Sequence, residues 1–154
     1  MQGFWLSCLY SLIGCIGFSV GYNLRGWSIP VSALGGAIGW AVFQLFAFTG
    51  NDIVQYFMAT IALSVYSEVM ARIFKTPVTV FLIVALIPLV PGGGIYYTME
   101  YCINGNIPMF VQEGLHTIFI TGALSIGILV VSALVRLILR IQNPPRSNGA
   151  NPSN

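Results

Sequence analysis

The sequence predicts an all-α integral membrane protein of five transmembrane helices, the fourth of them broken. Three observations carry this. Charged residues make up 6% of the 154 residues and hydrophobic ones 56%, where an ordinary globular domain is about a quarter charged. Six basic and four acidic side chains cannot cover the surface of a soluble domain of this size. The apolar residues also fall into runs of the roughly 20 residues that a bilayer core requires. Finally, the cations sort to one side of those runs. Together these exclude a soluble enzyme, a nucleic-acid binder and a disordered scaffold, and a net charge of +2 is too small to call for a polyanionic partner.

The first span is expected over 4–22, closed by Asn23 and Arg25. Met1-Gln2-Gly3 carries no side-chain charge, and no small-x-small site follows the apolar run, so the span should be retained rather than cleaved. Pro30 suits the first turn of a second helix over 30–49. Gly50-Asn51-Asp52 makes a turn in which Asn51 or Asp52 caps a third helix over 53–70. The fourth run covers 77–103 and is interrupted at 88–94 by Pro88 and Pro91-Gly92-Gly93-Gly94, with a helix restarting near Ile95. The fifth, 115–139, is the most apolar. Residues 1–142 thus read as one bundle, and 143–154, rich in Pro, Ser, Asn and Gly, as a disordered cytoplasmic tail.

Orientation follows from charge. Arg25 lies between spans one and two, Arg72 and Lys75 between three and four, and Arg136, Arg140 and Arg146 at or after the end of span five. The other connections hold Asp52, Glu100 and Glu113. With five spans every cation falls on one side, which sets the N-terminus outside and the C-terminus in the cytoplasm.

Gly17-x-x-x-Gly21, Gly35-x-x-x-Gly39 and Ala123-x-x-x-Gly127 have the spacing that lets helices approach closely in lipid. Cys8, Cys15 and Cys102 show no metal or disulfide spacing and read as small buried hydrophobes. Trp5, Trp27, Tyr96, Tyr97 and Tyr101 lie near span ends, as interfacial anchors do.

Four features bear on chemistry. Glu68 lies inside span three with Arg72 one turn on, so the two can pair. They form either an interfacial ion pair or a polar face on a substrate or proton path. Pro88 to Gly94 withholds backbone donors and disfavours continuous helix. Irregular backbone at membrane depth is tolerated where protein buries it or where it lines a watery cavity. A helix restarting there would aim free N–H groups at an anionic group such as a carboxylate; the alternative is a kink followed by a plain loop. Tyr96 follows directly. His116, beside Glu113, is a cap or a proton relay. No cofactor, nucleotide loop, catalytic triad or metal constellation is legible, so an enzyme is not expected.

Glu68-Val-Met-Ala-Arg72, Lys75-Thr-Pro77, Ile87-Pro-Leu-Val-Pro-Gly-Gly-Gly-Ile-Tyr96 and Leu34-Gly-Gly-Ala-Ile-Gly-Trp40 resemble the threonine/serine exporter (ThrE-like) family. The resemblance runs to about Ile141, and the Pro-Leu-Val-Pro-Gly segment is its specific part. It implies the short membrane subunit that corresponds to the C-terminal half of fused exporters. Its partner would be a larger five-span subunit with a soluble portion. The implied activity is secondary export, at the inner cell membrane, of threonine and serine or of a dicarboxylate such as succinate, by a homo- or hetero-oligomer. On that reading Pro88, Pro91, Gly92, Gly93, Gly94 and Tyr96 shape the carboxylate's path, Glu68 and Arg72 gate it, and His116 is a subsidiary proton relay. The competing expectation is a non-transporting subunit that stabilises or localises a partner.

Overall fold

The computed structural model describes residues 2–142, and the tail expected over 143–154 lies outside them. The described chain forms six helices: α1 (Gln2–Gly21), α2 (Ser28–Leu45), α3 (Asp52–Ile73), α4 (Val78–Leu86), α5 (Gly92–Ile103) and α6 (Ile107–Gln142). Short 3-10 turns follow α2 (Phe46–Thr49) and α4 (Ile87–Leu89). Residues in the left-handed region end several helices. Asn23 (φ 56°) and Lys75 (φ 51°) do so after α1 and α3, and Gly105 (φ 69°) does so after α5. At each, the next residue's N–H reaches back five residues, as Thr76 does to the Ala71 carbonyl at 3.0 Å. This closes carbonyls that a helix end leaves open. Asn51, not Asp52, caps α3: its Oδ1 accepts from the Ile53 N–H at 3.0 Å.

The bundle is organised around α2, α3 and α4, which pack on one another; α1 lies against α2, α6 against α3, and α5 against α6. Ala59, Leu63, Ala85, Leu89, Ile120 and Leu124 form the main core, and Cys15, Ala33 and Val84 a second. Much of the remaining apolar surface is exposed, including Leu9, Ile13, Leu129 and Leu137. That suits lipid, which needs no polar cover.

Two of the three small-residue motifs work as close-packing devices. A Cβ on Gly35 would lie 3.0 Å from Ala85 and Tyr66, and one on Gly127 3.0 Å from Thr60. Gly36 has no room either, because Cys15 Sγ occupies the place of its Cβ. Gly17 and Gly21, by contrast, have nothing within 4 Å. That motif packs against no other described element, because α1 turns its Ser11–Cys15–Ser19 face to the bundle.

The broken span differs from expectation in where the break lies. Only Val90 and Pro91 leave helical geometry, and the helix resumes at Gly92 rather than near Ile95. None of Gly92, Gly93 and Gly94 has a positive φ. The reason is positional: the first helical residues have no intrahelical acceptor for their N–H groups in any helix. Glycine therefore weakens α5 least at its first turn. The axes of α4 with its 3-10 turn and of α5 meet at 53°. The last helix is also longer than expected, because Asn106 starts it early: its Oδ1 accepts from the Met109 N–H at 3.4 Å.

Three described helices, Ser28–Thr49, Asp52–Ile73 and Ile107–Gln142, are long and apolar enough to cross a membrane, or four if the bent pair is one span. The apolar part of α1, Trp5–Gly21, is shorter. This is a multi-pass membrane architecture. Gly127 meets Thr60 and His116 meets Asp52, so α3 and α6 run in the same direction. Gly94 meets Thr117 and Gly114 meets Thr98, so α5 runs antiparallel to the start of α6. The α5–α6 hairpin therefore carries on past the beginning of α3.

Candidate functional site

Four elements meet where α4 breaks. The capped start of α3 presents Asp52, and Gln55 one turn on donates to its Oδ1 at 3.4 Å. The early turns of α6 bring Glu113 and His116. His116 Nε2 lies 3.9 Å from Asp52 Oδ2, with both side chains about half exposed, so this contact is a weak, screened one. α2 contributes Trp40 and Phe43, whose rings stack at 5.2 Å, and Phe43 in turn meets Tyr56 at 4.7 Å. The break supplies Pro88, Val90, Pro91 and the three glycines. Together they line a cleft of about 510 Å³, within the range of small-metabolite sites.

Its polar groups are unevenly distributed. The Gly92 N–H closes on the Val90 carbonyl at 2.7 Å, and the Ile95 N–H makes the first helical bond to Pro91 at 3.2 Å. The amides of Gly93 and Gly94 lie between these and have no backbone acceptor. They form the positive end of α5. The Trp40 indole N–H is shielded from solvent and also has no partner. The free donors facing the cleft thus come from α5, whereas the carboxylates Asp52 and Glu113 come from α3 and α6. Such a set can hold an ammonium and a carboxylate of one small molecule at once.

A family model described as threonine/serine exporter, ThrE, matches residues 7–134. The chain belongs to the threonine/serine exporter family. No curated protein and no solved structure matches it. The match covers every residue of the cleft. In a family of exporters, a cleft of this size and polarity is the candidate substrate site.

Of the residues singled out in the sequence, Pro88, Pro91, Gly92, Gly93, Gly94 and His116 come together in this cleft. Tyr96 does not; it is 65% exposed on the far side of α5, its ring edge-on to Tyr97 at 5.4 Å, and Tyr97 is the one that faces the cleft. Glu68 and Arg72 pair with each other at 3.4 Å, Arg72 half exposed and Glu68 largely covered. Neither reaches the cleft. Asp52 and Glu68 are sixteen residues apart on one helix, about 24 Å. Among the described residues no group of three or more side chains could hold a metal ion.

Sequence reasoning missed Trp40, Gln55, Asp52, Glu113 and Thr117 as members of one site. One signal was available: Asp52 and Glu113–His116 sit at the same predicted boundary of spans three and five. A wider groove of about 860 Å³ runs beside Arg136 and Arg140, but α6 alone lines it. It has no second wall and is part of the outward surface of that helix.

Proposed function

We propose that this chain is the short membrane subunit of a two-component secondary exporter in the inner cell membrane, and that the cleft at the α4–α5 break binds its substrate. The observation that carries the reading is the division of the cleft into unpaired donors and carboxylates. The substrate's carboxylate would accept from the Gly93 and Gly94 amides, with the Trp40 ring as one wall. Its ammonium would lie near Asp52 and Glu113. This pattern favours a zwitterionic amino acid, threonine or serine, over a dicarboxylate, because a second substrate carboxylate would face the two like charges of Asp52 and Glu113 with only His116 beside them. His116, 3.9 Å from Asp52, would be the subsidiary proton relay.

The five-span arrangement counts α1 as a short span and α4–α5 as a broken one. Arg25, Arg72, Lys75, Arg136 and Arg140 then face the cytoplasm, and the cleft opens to the opposite side with Asp52 and Glu113. A reporter fused after Asn154 is expected to read cytoplasmic, and a tag before Gln2 to be reached from outside. A C-terminus exposed outside would remove the orientation and reverse which side the cleft serves.

The Glu68–Arg72 pair would close the cytoplasmic end of the path. The chain has no nucleotide motif, so the energy would come from an ion or substrate gradient or from the partner. The larger five-span subunit with a soluble portion would complete the transporter. Threonine efflux from preloaded cells tests this directly: co-production with the larger subunit is expected to restore saturable efflux that neither chain gives alone. Saturable efflux by this chain alone in liposomes would replace the two-component reading with a homo-oligomeric carrier. A requirement for the chain only in the partner's abundance, with no effect on efflux per partner, would leave it a stabilising subunit.

A further inference from the structure

Six of the fourteen serine and threonine hydroxyls in the described helices use the nearest available acceptor. Ser19, Thr60, Thr98, Thr117, Thr121 and Ser125 each donate to the carbonyl four residues back, at 2.6–2.9 Å. That partner is within reach of any serine or threonine in a helix. Ser32 on α2 and Ser64 and Ser67 on α3 do not use it. All three are 0–2% exposed, and none has a hydrogen-bond partner. A buried hydroxyl left unpaired carries its full desolvation penalty, and alanine at the same position would carry none.

These serines are grouped. The Tyr66 hydroxyl donates to the Val31 carbonyl at 2.8 Å, and the Tyr66 ring abuts Gly35. This contact sets Ser32 at the level of Ser67. Ala85 of α4 closes on Gly35 from the other side, and Phe81, Val84 and Ala85 are all fully buried. Along α3 the order is Asp52, Gln55 and Tyr56 in the cleft, then Ser64 and Ser67, then the Glu68–Arg72 pair. The unpaired hydroxyls therefore lie between the cleft and the ion pair, at the level where Ala85 of α4 packs on Gly35. α4 is nine residues long, begins after Pro77, and is followed by the 3-10 turn and the Val90–Pro91 break. These two interruptions let it tilt as a unit, as hinged elements do, and a tilt would also uncover its core residues Val84 and Ala85.

We propose that Ser32, Ser64 and Ser67 line the continuation of the substrate path from the cleft toward Glu68 and Arg72. α4 closes it in this structure, and when α4 tilts away the path is hydrated. Water, and then the polar groups of the passing amino acid, would supply the partners these hydroxyls lack in the closed arrangement. The proposal rests on the exporter reading above and adds the inner half of its path.

The test uses Ser32→Cys, Ser64→Cys and Ser67→Cys, each in inside-out membrane vesicles from cells that also make the larger subunit. A charged, membrane-impermeant methanethiosulfonate reagent is added, and labelled positions are read by peptide mass spectrometry. Val131→Cys, at a buried position of α6 away from α4, serves as the reference. The introduced cysteines are expected to react at least tenfold faster than that reference, and L-threonine to slow them. Reaction no faster than the reference at all three positions overturns the proposal. In parallel, the triple variant S32A/S64A/S67A is expected to keep or raise its melting temperature in detergent while threonine efflux falls at least fivefold. Normal efflux by that variant likewise overturns it. Efflux by the unmodified protein with no labelling leaves the exporter reading standing and removes the path. Labelling without any efflux removes the exporter reading and keeps a hydrated channel between α2, α3 and α4.

Discussion

Gly94→Ala is expected to reduce export more than tenfold, while Gly92→Ala and Gly93→Ala leave protein abundance unchanged. The three glycines are adjacent and share the first turn of α5, yet they face different surroundings. A Cβ on Gly92 or Gly93 meets nothing within 4 Å. Both have ordinary negative φ, so alanine there favours the helix by up to about 1 kcal/mol. A Cβ on Gly94 would collide with the Thr117 hydroxyl, which itself donates to the Glu113 carbonyl at 2.8 Å. Thr117 is nearly buried and its helix is the one on which α5 packs, so the collision is relieved only by moving α5 or rotating Thr117. Overpacking of this kind costs about 1–3 kcal/mol, and about 1.4 kcal/mol corresponds to tenfold in an equilibrium. Displacing α5 also displaces the two free amides from the cleft. Thr117→Ala in the same chain removes the colliding oxygen and is expected to recover most of the lost efflux. Efflux from preloaded cells, normalised to membrane abundance by immunoblot, measures all four variants. Equal efflux by the three single variants would mean that the α5–α6 contact has no bearing on transport.

Asp52→Asn and Glu113→Gln are each expected to raise the apparent KM for threonine about tenfold, since a hydrogen bond to a charged group contributes on the order of 1.5 kcal/mol. The maximal rate should change less, because the ammonium is bound in the ground state as well as during passage. Together the substitutions should multiply if each carboxylate holds the ammonium separately, and fall short of that if the two share it. Glu68→Gln is the remote control: about 24 Å along α3 from Asp52, it should leave KM unchanged and alter the maximal rate if the pair closes the path. Concentration-dependent efflux in proteoliposomes containing both subunits gives the two parameters separately. An unchanged KM in both cleft variants would leave the cleft without its ammonium site, and the zwitterion reading would fall with it.

The legible part of this protein is the part that lipid imposes. Apolar runs, capping residues and the existence of a break follow from local chemistry, and the structure has a helix along each apolar run. Asn51 precedes α3 because its side chain can reach an unpaired N–H two residues on. Pro91 ends one helix because it has no N–H to give. The glycines are helical for a local reason too: their low helix propensity matters little in a first turn, which makes no demand on their N–H groups. Tyr96 and Tyr97 show a limit. Both are adjacent aromatics near a span end, and only the rotation of α5 on α6 decides which of them faces the cleft.

The sequence alone determined that this chain is helical, resides in a membrane, breaks its fourth apolar run somewhere within Pro88–Gly94 and carries the motifs of the threonine/serine exporter family; the structure confines the break to Val90 and Pro91. Each of these depends on composition or on residues within a few positions of one another. Only the tertiary structure decided that the break belongs with Trp40, Asp52, Glu113 and His116 and not with Glu68 and Arg72. That grouping depends on how far each helix is shifted along its neighbours. The shift is set by contacts such as Gly35 on Ala85 and Tyr66, Gly94 on Thr117 and Gly127 on Thr60, which join residues from about 20 to 70 positions apart. Hydropathy is nearly blind to a one-turn slide between two apolar helices, because lipid and protein interior are alike in polarity. Close packing is not, and it is packing that brings unpaired amides and carboxylates to one cleft.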